Sequence, residues 1–153
     1  MKITSKSINK FLLFKLPSAY LCGVRLRAID NSKSIVTVRH KWINQNPFNS
    51  MYFAVQSMAA ELTTGALVMK KISESGEKIS MLVTNHNGSF SKKAVGKITF
   101  TCTDGRLIDK AIKATIKTGE GQTILMKSEG KNESGELVSS YEFEWSVKLK
   151  SNK

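Results

Sequence analysis

The sequence predicts an α+β protein in which an antiparallel sheet wraps around one long buried helix. Residues 50–71 are apolar or small on almost every helical face as far as Met69, and Glu61 is the single charge in that run. A helix that is hydrophobic nearly all round is a buried one. Residues 137–149 place Leu137, Tyr141, Phe143, Trp145, Val147 and Leu149 at odd positions, with Glu142, Glu144 and Lys148 between them, the cleanest strand pattern in the chain. Two strand patterns precede the helix and a hairpin-rich remainder follows it, with no repeat and no low-complexity linker, an order that fits helix-on-sheet layers.

Taken in order, Ser7 is the expected N-cap of an N-terminal helix in which Ile8, Phe11, Leu12 and Leu16 recur at helical spacing, and Pro17 breaks or restarts it. Val24, Leu26 and Ala28 alternate with Arg25 and Arg27 as in a half-buried strand, and residues 30–33 carry turn chemistry. The next strand, residues 35–43, places Val36, Val38, His40 and Trp42 on one face. The long helix starts at about Ser50, with Asn49 or Ser50 as its cap, and gives way to a polar turn around Gly76. Residues 79–84 read as a strand interrupted by a bend or bulge at 85–88, and residues 95–102 as another. Asp104 caps a second amphipathic segment with Leu107, Ile108, Ala111, Ile112 and Ile116 as its stripe. Its C-terminal half alternates equally well as a strand. A turn at Gly119 and Gly121 leads to a strand over 123–128, then to the last one.

The chain has 153 residues, 41% of them apolar, enough for one domain with a proper core and too few for two, so residues 1–153 are expected to form a single domain. The formal charge of +12 comes mostly from lysine, the arginines being Arg25, Arg27, Arg39 and Arg106. Such a surface attracts anions in general. Sparse arginine, and the lack of any helix-turn-helix, zinc or aromatic-platform pattern, argue against a nucleic-acid partner. Cys22, Cys102, His40 and His86 form no metal-ligand spacing, so no metal is expected and the thiols read as reduced. Lys15 and Pro17 interrupt the apolar run that begins at Phe11, as a signal peptide would not allow, and no stretch free of polar residues approaches the roughly 20 that span a bilayer. The expectation is a cytoplasmic protein without a membrane span.

Glu61 is the first functional candidate, because burying a lone carboxylate raises its pKa or demands a partner. Its surroundings carry a resemblance. Asn46, then Tyr52-Phe53-Ala54, then Glu61 stand at the intervals of N-x5-H-G-G-x6-[DE], and Phe90, Ala94 and Gly96 follow the Phe-x3-Ala-x-Gly pattern that enters a later strand. In both, the chain resembles the hotdog-fold thioesterase superfamily, most of all its uncharacterised branch of tetrameric acyl-CoA thioesterase-like domains. The resemblance implies a curved antiparallel sheet around the central helix and a homodimer, and leaves open whether two dimers pair into a tetramer. It also implies an acyl-CoA thioester as substrate with no cofactor besides.

On that pattern, amides near Tyr52 and Phe53 would polarise the thioester carbonyl, helped by the helix dipole. Glu61 would act as general base or nucleophile, with Asn46 orienting it or the water. Phe53, Ala54 and Phe90 would face the substrate, and Lys92 and Lys93 would hold coenzyme A phosphates. The chain departs from the pattern where Tyr52 replaces His and Phe53-Ala54 replace the glycine pair whose bare backbone lets the carbonyl approach. That departure keeps a second reading open, a non-catalytic acyl- or CoA-binding hotdog protein. Pro47 stands where a dehydratase-type site would need its histidine, which argues against that branch.

Overall fold

The long apolar segment is a helix, α3 (Phe53–Ser75), and a six-stranded sheet wraps around it. The structure, a computed structural model, describes residues 2–151. In chain order the elements are α1 (Ser5–Lys15), α2 (Pro17–Leu21), β1 (Arg25–Ile29), β2 (Ser34–Arg39), α3, β3 (Ile79–Phe90), β4 (Lys97–Cys102), α4 (Gly105–Thr118), β5 (Gln122–Lys131) and β6 (Leu137–Leu149). The strands lie in the order β1-β2-β4-β5-β6-β3, every neighbouring pair antiparallel, and α3 packs against all six. This curved sheet around one helix is the hotdog arrangement.

α3 is buried because its polar groups are answered from within. Thr63 and Thr64 are inaccessible to solvent. The Thr63 hydroxyl lies 2.6 Å from the Ala60 carbonyl and 2.7 Å from Ser128 Oγ. Thr64 Oγ1 donates to the Glu61 carbonyl at 2.9 Å and accepts from Trp145 Nε1 at 2.9 Å. Satisfied this way, hydroxyls fit in a core among Val36, Ile98, Phe100, Met126 and Val147 without the penalty of an unpaired polar group. Gly65 lets the helix approach β6: a Cβ there would stand 3.1 Å from the Trp145 ring and 3.1 Å from a Glu61 carboxyl oxygen.

Several boundaries differ from the sequence reading, each for a local reason. Thr4, not Ser7, caps α1: Ser7 N donates to Thr4 Oγ1 at 3.1 Å, and Thr4 N donates to Ser7 Oγ at 2.9 Å, so Ser7 is the third helical residue of a capping box. β2 stops at Arg39, because a 3₁₀ turn at Trp42–Asn44 carries the chain away, held by the Asn44 carboxamide on the Lys41 amide and the Cys22 and Arg39 carbonyls. Trp42 is therefore not a core residue but 82% exposed. α3 begins three residues later than expected, since Ser50 and Met51 belong to the loop before it.

β3 continues through residues 85–88 to Phe90: those four are regularly paired with β6, and the bulge lies just ahead of them, between Val83 and Asn85. Gly88 sits opposite Tyr141, where a Cβ would fall 2.8 Å from the ring. The undecided segment is helical to Thr118, closed by Gly119 at φ 73°. Its buried face is Ile108, Ala111, Ile112 and Thr115, while Leu107 and Ile116 are exposed, because Thr115 packs inward and accepts from Leu149 N at 3.0 Å. Asp104 precedes that helix but does not cap it with its side chain; its carboxylate accepts from Lys127 N at 2.7 Å instead. Cys22 and Cys102 are free thiols. Among the described residues no helix is long and apolar enough to cross a membrane.

Candidate functional site at the start of the central helix

The loop ahead of α3 is organised by Asn46. Its carboxamide accepts from Phe48 N at 2.9 Å and Ser50 N at 3.3 Å and donates to Ser50 Oγ at 3.0 Å, while its backbone N–H donates to Ser50 O at 2.8 Å. These bonds curl residues 46–50 into a closed turn and keep them from starting the helix. Met51 N then donates to Ala94 O at 2.8 Å and Tyr52 N to Asn44 O at 2.9 Å, which pins the loop to the chain beyond β3 and to the 3₁₀ turn.

These bonds decide which amides are available. The Tyr52 N–H is occupied, contrary to the sequence reading. The first intrahelical bonds run from Val55 N and Gln56 N to Tyr52 O, so the amides of Phe53 and Ala54 have no acceptor among the described residues. They are free donors at the positive end of a 23-residue helix.

Beside them opens a groove of about 530 Å³ between this loop, the end of β3 and residues 91–94. It brings together Asn46, Tyr52, Phe53, Phe90, Lys92 and Lys93 from the sequence-derived set. Its rim is aromatic: the Tyr52 and Phe53 rings meet edge-on at 5.0 Å, Phe53 and Phe90 at 6.3 Å, and Phe90 and the buried Tyr141 at 5.7 Å. Tyr52, Phe53 and Phe90 are each about half exposed. Lys92 is ion-paired with Glu136, whose carboxyl is held below its usual range by that lysine and by Asn132. Among the described residues Lys93 Nζ reaches only the Phe48 carbonyl, at 3.3 Å.

The sequence reading passed over Gln56. It lines the groove, is 4% exposed, and its Oε1 is buried with no hydrogen-bond partner among the described residues. The signal was a carboxamide one turn into an otherwise apolar helix. No histidine lies in the groove: His86 stacks on Phe143 at 5.7 Å, and His40 follows β2.

Ala54 and Glu61 do not line the groove. Ala54, Ser57, Met58 and Glu61 form a half-buried stripe along α3. Glu61 sits where that stripe meets Gly65 and Trp145, and its carboxyl oxygens have no hydrogen-bond or ion-pair partner among the described residues. Burial alone pushes its carboxyl up to about 7. Seven residues of helix separate it from Ala54, about 10 Å of rise at 1.5 Å each.

Among solved structures, the chain resembles a probable thioesterase of Pseudomonas aeruginosa, at 18% identity and a TM-score of 0.80, over 95% of this chain and 96% of that one. A protein of unknown function from Chlorobaculum tepidum matches at 16% identity and a TM-score of 0.83, over 97% and 99%. A thioesterase from Haemophilus influenzae matches at 17% and 0.71, over 97% and 93%. At these identities the likeness is one of fold. No curated protein matches the sequence. The model of a domain of unknown function, DUF4442, matches residues 4–147, a span that holds both the groove and the buried glutamate, and the chain belongs to that family.

Proposed function

We propose that the chain is an acyl-CoA thioesterase-like protein that hydrolyses a thioester with Glu61 as general base or nucleophile. The observation that carries the reading is the unpartnered, largely buried Glu61 carboxyl, which burial raises to about 7. A base of that pKa is half ionised near neutrality, where proton transfer from water is most effective. As base, Glu61 takes a proton from water as the oxygen adds to the thioester carbonyl carbon. The oxyanion receives the free N–H groups of Phe53 and Ala54. Collapse expels the thiolate, which takes the proton back from Glu61.

The separation of Ala54 and Glu61 along one helix favours a site shared between two copies, with the glutamate of one facing the amides of the other. β3 supports a homodimer: it is an edge strand with its outer backbone row unpaired among the described residues and Leu82 exposed. Pairing of dimers into tetramers extends the same reading. In the groove, Gln56 orients the thioester, Asn46 holds the loop that presents the amides, and the aromatic rim with Tyr52 receives the acyl chain. Lys93, freer than Lys92, holds coenzyme A phosphate.

The second reading, an acyl- or CoA-binding protein without catalysis, is favoured by Phe53 and Ala54, whose side chains stand where bare glycine would admit a carbonyl. Release of free thiol from a panel of acyl-CoAs by the wild type and by Glu61→Gln separates the two. Catalysis predicts a fall of about a hundredfold or more in the variant. Equal rates in both would remove Glu61 from the reaction, and retained acyl chains in native mass spectra would then support binding.

A further inference from the structure

The outer face of the sheet carries a second feature that the groove does not use. Three of the four arginines, Arg25, Arg27 and Arg39, converge with Lys41 and Lys97 on one concave surface of about 330 Å³ over β1, β2 and β4. Gly23 and Thr37 complete its lining among the described residues; the Glu133 carboxylate and the Tyr20 ring touch Arg39 and Arg25 from outside that lining, and it shares no residue with the groove.

The cations are held in place. Arg25 lies 3.5 Å over the Tyr20 ring, and its Nη1 donates to the Tyr20 and Val24 carbonyls at 2.7 and 2.8 Å. Arg27 Nε donates to the buried Thr37 hydroxyl at 2.8 Å, which aims the guanidinium while its two terminal nitrogens make no bond among the described residues. Arg39 and Lys97 are direct cross-strand partners. Like charges placed opposite each other destabilise a sheet. Glu133 alone offsets them, with one oxygen 3.1 Å from Arg39 Nη2 and 3.1 Å from the Lys97 backbone amide, while the Lys97 ammonium has no partner among the described residues.

We infer that this surface binds the diphosphate group of a small phosphate ester. Fixed guanidinium groups suit paired phosphates by presenting forked donors, and five cations around one concavity match the charge of a diphosphate better than that of a single phosphate. The convergence on one concavity, and the absence from its lining of any ring for a base to stack on, favour a compact ligand over a nucleic-acid strand. The diphosphate could come from a nucleoside diphosphate or from the nucleotide end of coenzyme A.

The test is calorimetric titration of the full chain with inorganic pyrophosphate, orthophosphate, ADP and coenzyme A at about 0.15 M salt, where diffuse attraction is screened beyond roughly 8 Å. Saturable binding of pyrophosphate is expected, about tenfold tighter than orthophosphate and about tenfold weaker in Arg27→Gln and in Lys97→Gln. A control with Lys113→Gln and Lys117→Gln, which removes charge from α4, keeps the wild-type affinity. In the share of affinity that Arg27→Gln removes, tighter binding of ADP than of coenzyme A identifies a free nucleotide as the source, and the reverse identifies the nucleotide end of coenzyme A. Pyrophosphate that does not saturate, equal weakening in the α4 control, or tight oligonucleotide binding with none of pyrophosphate would each overturn the inference. Acyl-CoA hydrolysis by Glu61 is measured separately, and its outcome leaves this test unaffected.

Discussion

The first turn of α3 and its middle are two parts of one helix with opposite treatment of polar groups. In the middle, Thr63 and Thr64 are fully buried and each makes two hydrogen bonds. At the start, the Phe53 and Ala54 amides and the Gln56 side-chain oxygen have no partner among the described residues, beside an open groove. Glu61 lies between the two regimes, half-buried along the helix and, like the start, unpartnered among the described residues. The difference separates structure from candidate function: the bonded hydroxyls secure the helix to the sheet, and the unbonded groups are those a ligand can engage.

The comparison breaks first at Gly65. Gly65→Val forces branched methyls against the Trp145 ring and the Glu61 carboxyl, and thermal unfolding should show a loss of about 3 kcal/mol. Glu61→Gln should gain stability, and the gain should depend on pH. The folded-state pKa is raised from 4.5 to about 7, so the folded protein binds more protons than the unfolded chain between those values. Wild-type stability is therefore fully present below about 4.5 and falls as pH rises to about 7, by up to about 3 kcal/mol. Denaturant titrations at pH 4 and pH 8 should show that slope in the wild type and its loss in the glutamine variant; parallel behaviour would mean the carboxyl is ionised in the fold at no cost.

Thr63→Val removes a hydroxyl from the sealed region and leaves Ser128 Oγ without its partner, an expected cost of about 2 kcal/mol in urea unfolding. Gln56→Met is the smallest. It replaces a buried oxygen that lacks a partner, so stability should change by less than about 0.5 kcal/mol while affinity for an acyl-CoA falls. A stability loss of the size seen for Thr63→Val would place Gln56 with the bonded middle and not with the groove.

Much of the architecture could be read from side-chain periodicity. From Tyr141 onward the odd-numbered apolar residues of β6 do face the core, whereas Leu137 is exposed and Val138 is buried because the pairing with β5 shifts register there, and the run ending at Met69 is the central helix. The errors fall where local hydrogen bonding outranks periodicity. Val36 and Val38 continue on paper into His40 and Trp42, but Asn44 gathers three backbone groups and turns the chain out after Arg39. Ser50 has the chemistry of a helix cap, but Asn46 already holds it in a turn. In the site, the family resemblance suggested eight residues, of which six line one groove. It could not reveal that Glu61 lies apart from them, because position along a helix does not say which neighbour covers the side chain. Nor did the thinly spread arginines suggest that three of them meet, since Arg25, Arg27 and Arg39 come together only once β1 and β2 pair in register.

The bulge in β3 has a consequence for how the groove is reached. Ahead of it the inward residues are Ile79, Met81 and Val83, opposite Leu149, Val147 and Trp145; beyond it they are His86, Gly88 and Phe90, opposite Phe143, Tyr141 and Ser139. Thr84 is the one unpaired residue, so the strand is written in two phases, odd and then even. If Thr84 instead paired with Glu144, with no bulge, a single phase would continue and everything after it would turn by half a pleat. Phe90 would leave the rim, Ser89 would take its place, and the tight fit of Gly88 on Tyr141 would be exchanged for Asn87. Whether one residue is bulged or paired, with no change in side-chain chemistry, decides whether the far end of this strand belongs to the groove or to the outside of the sheet.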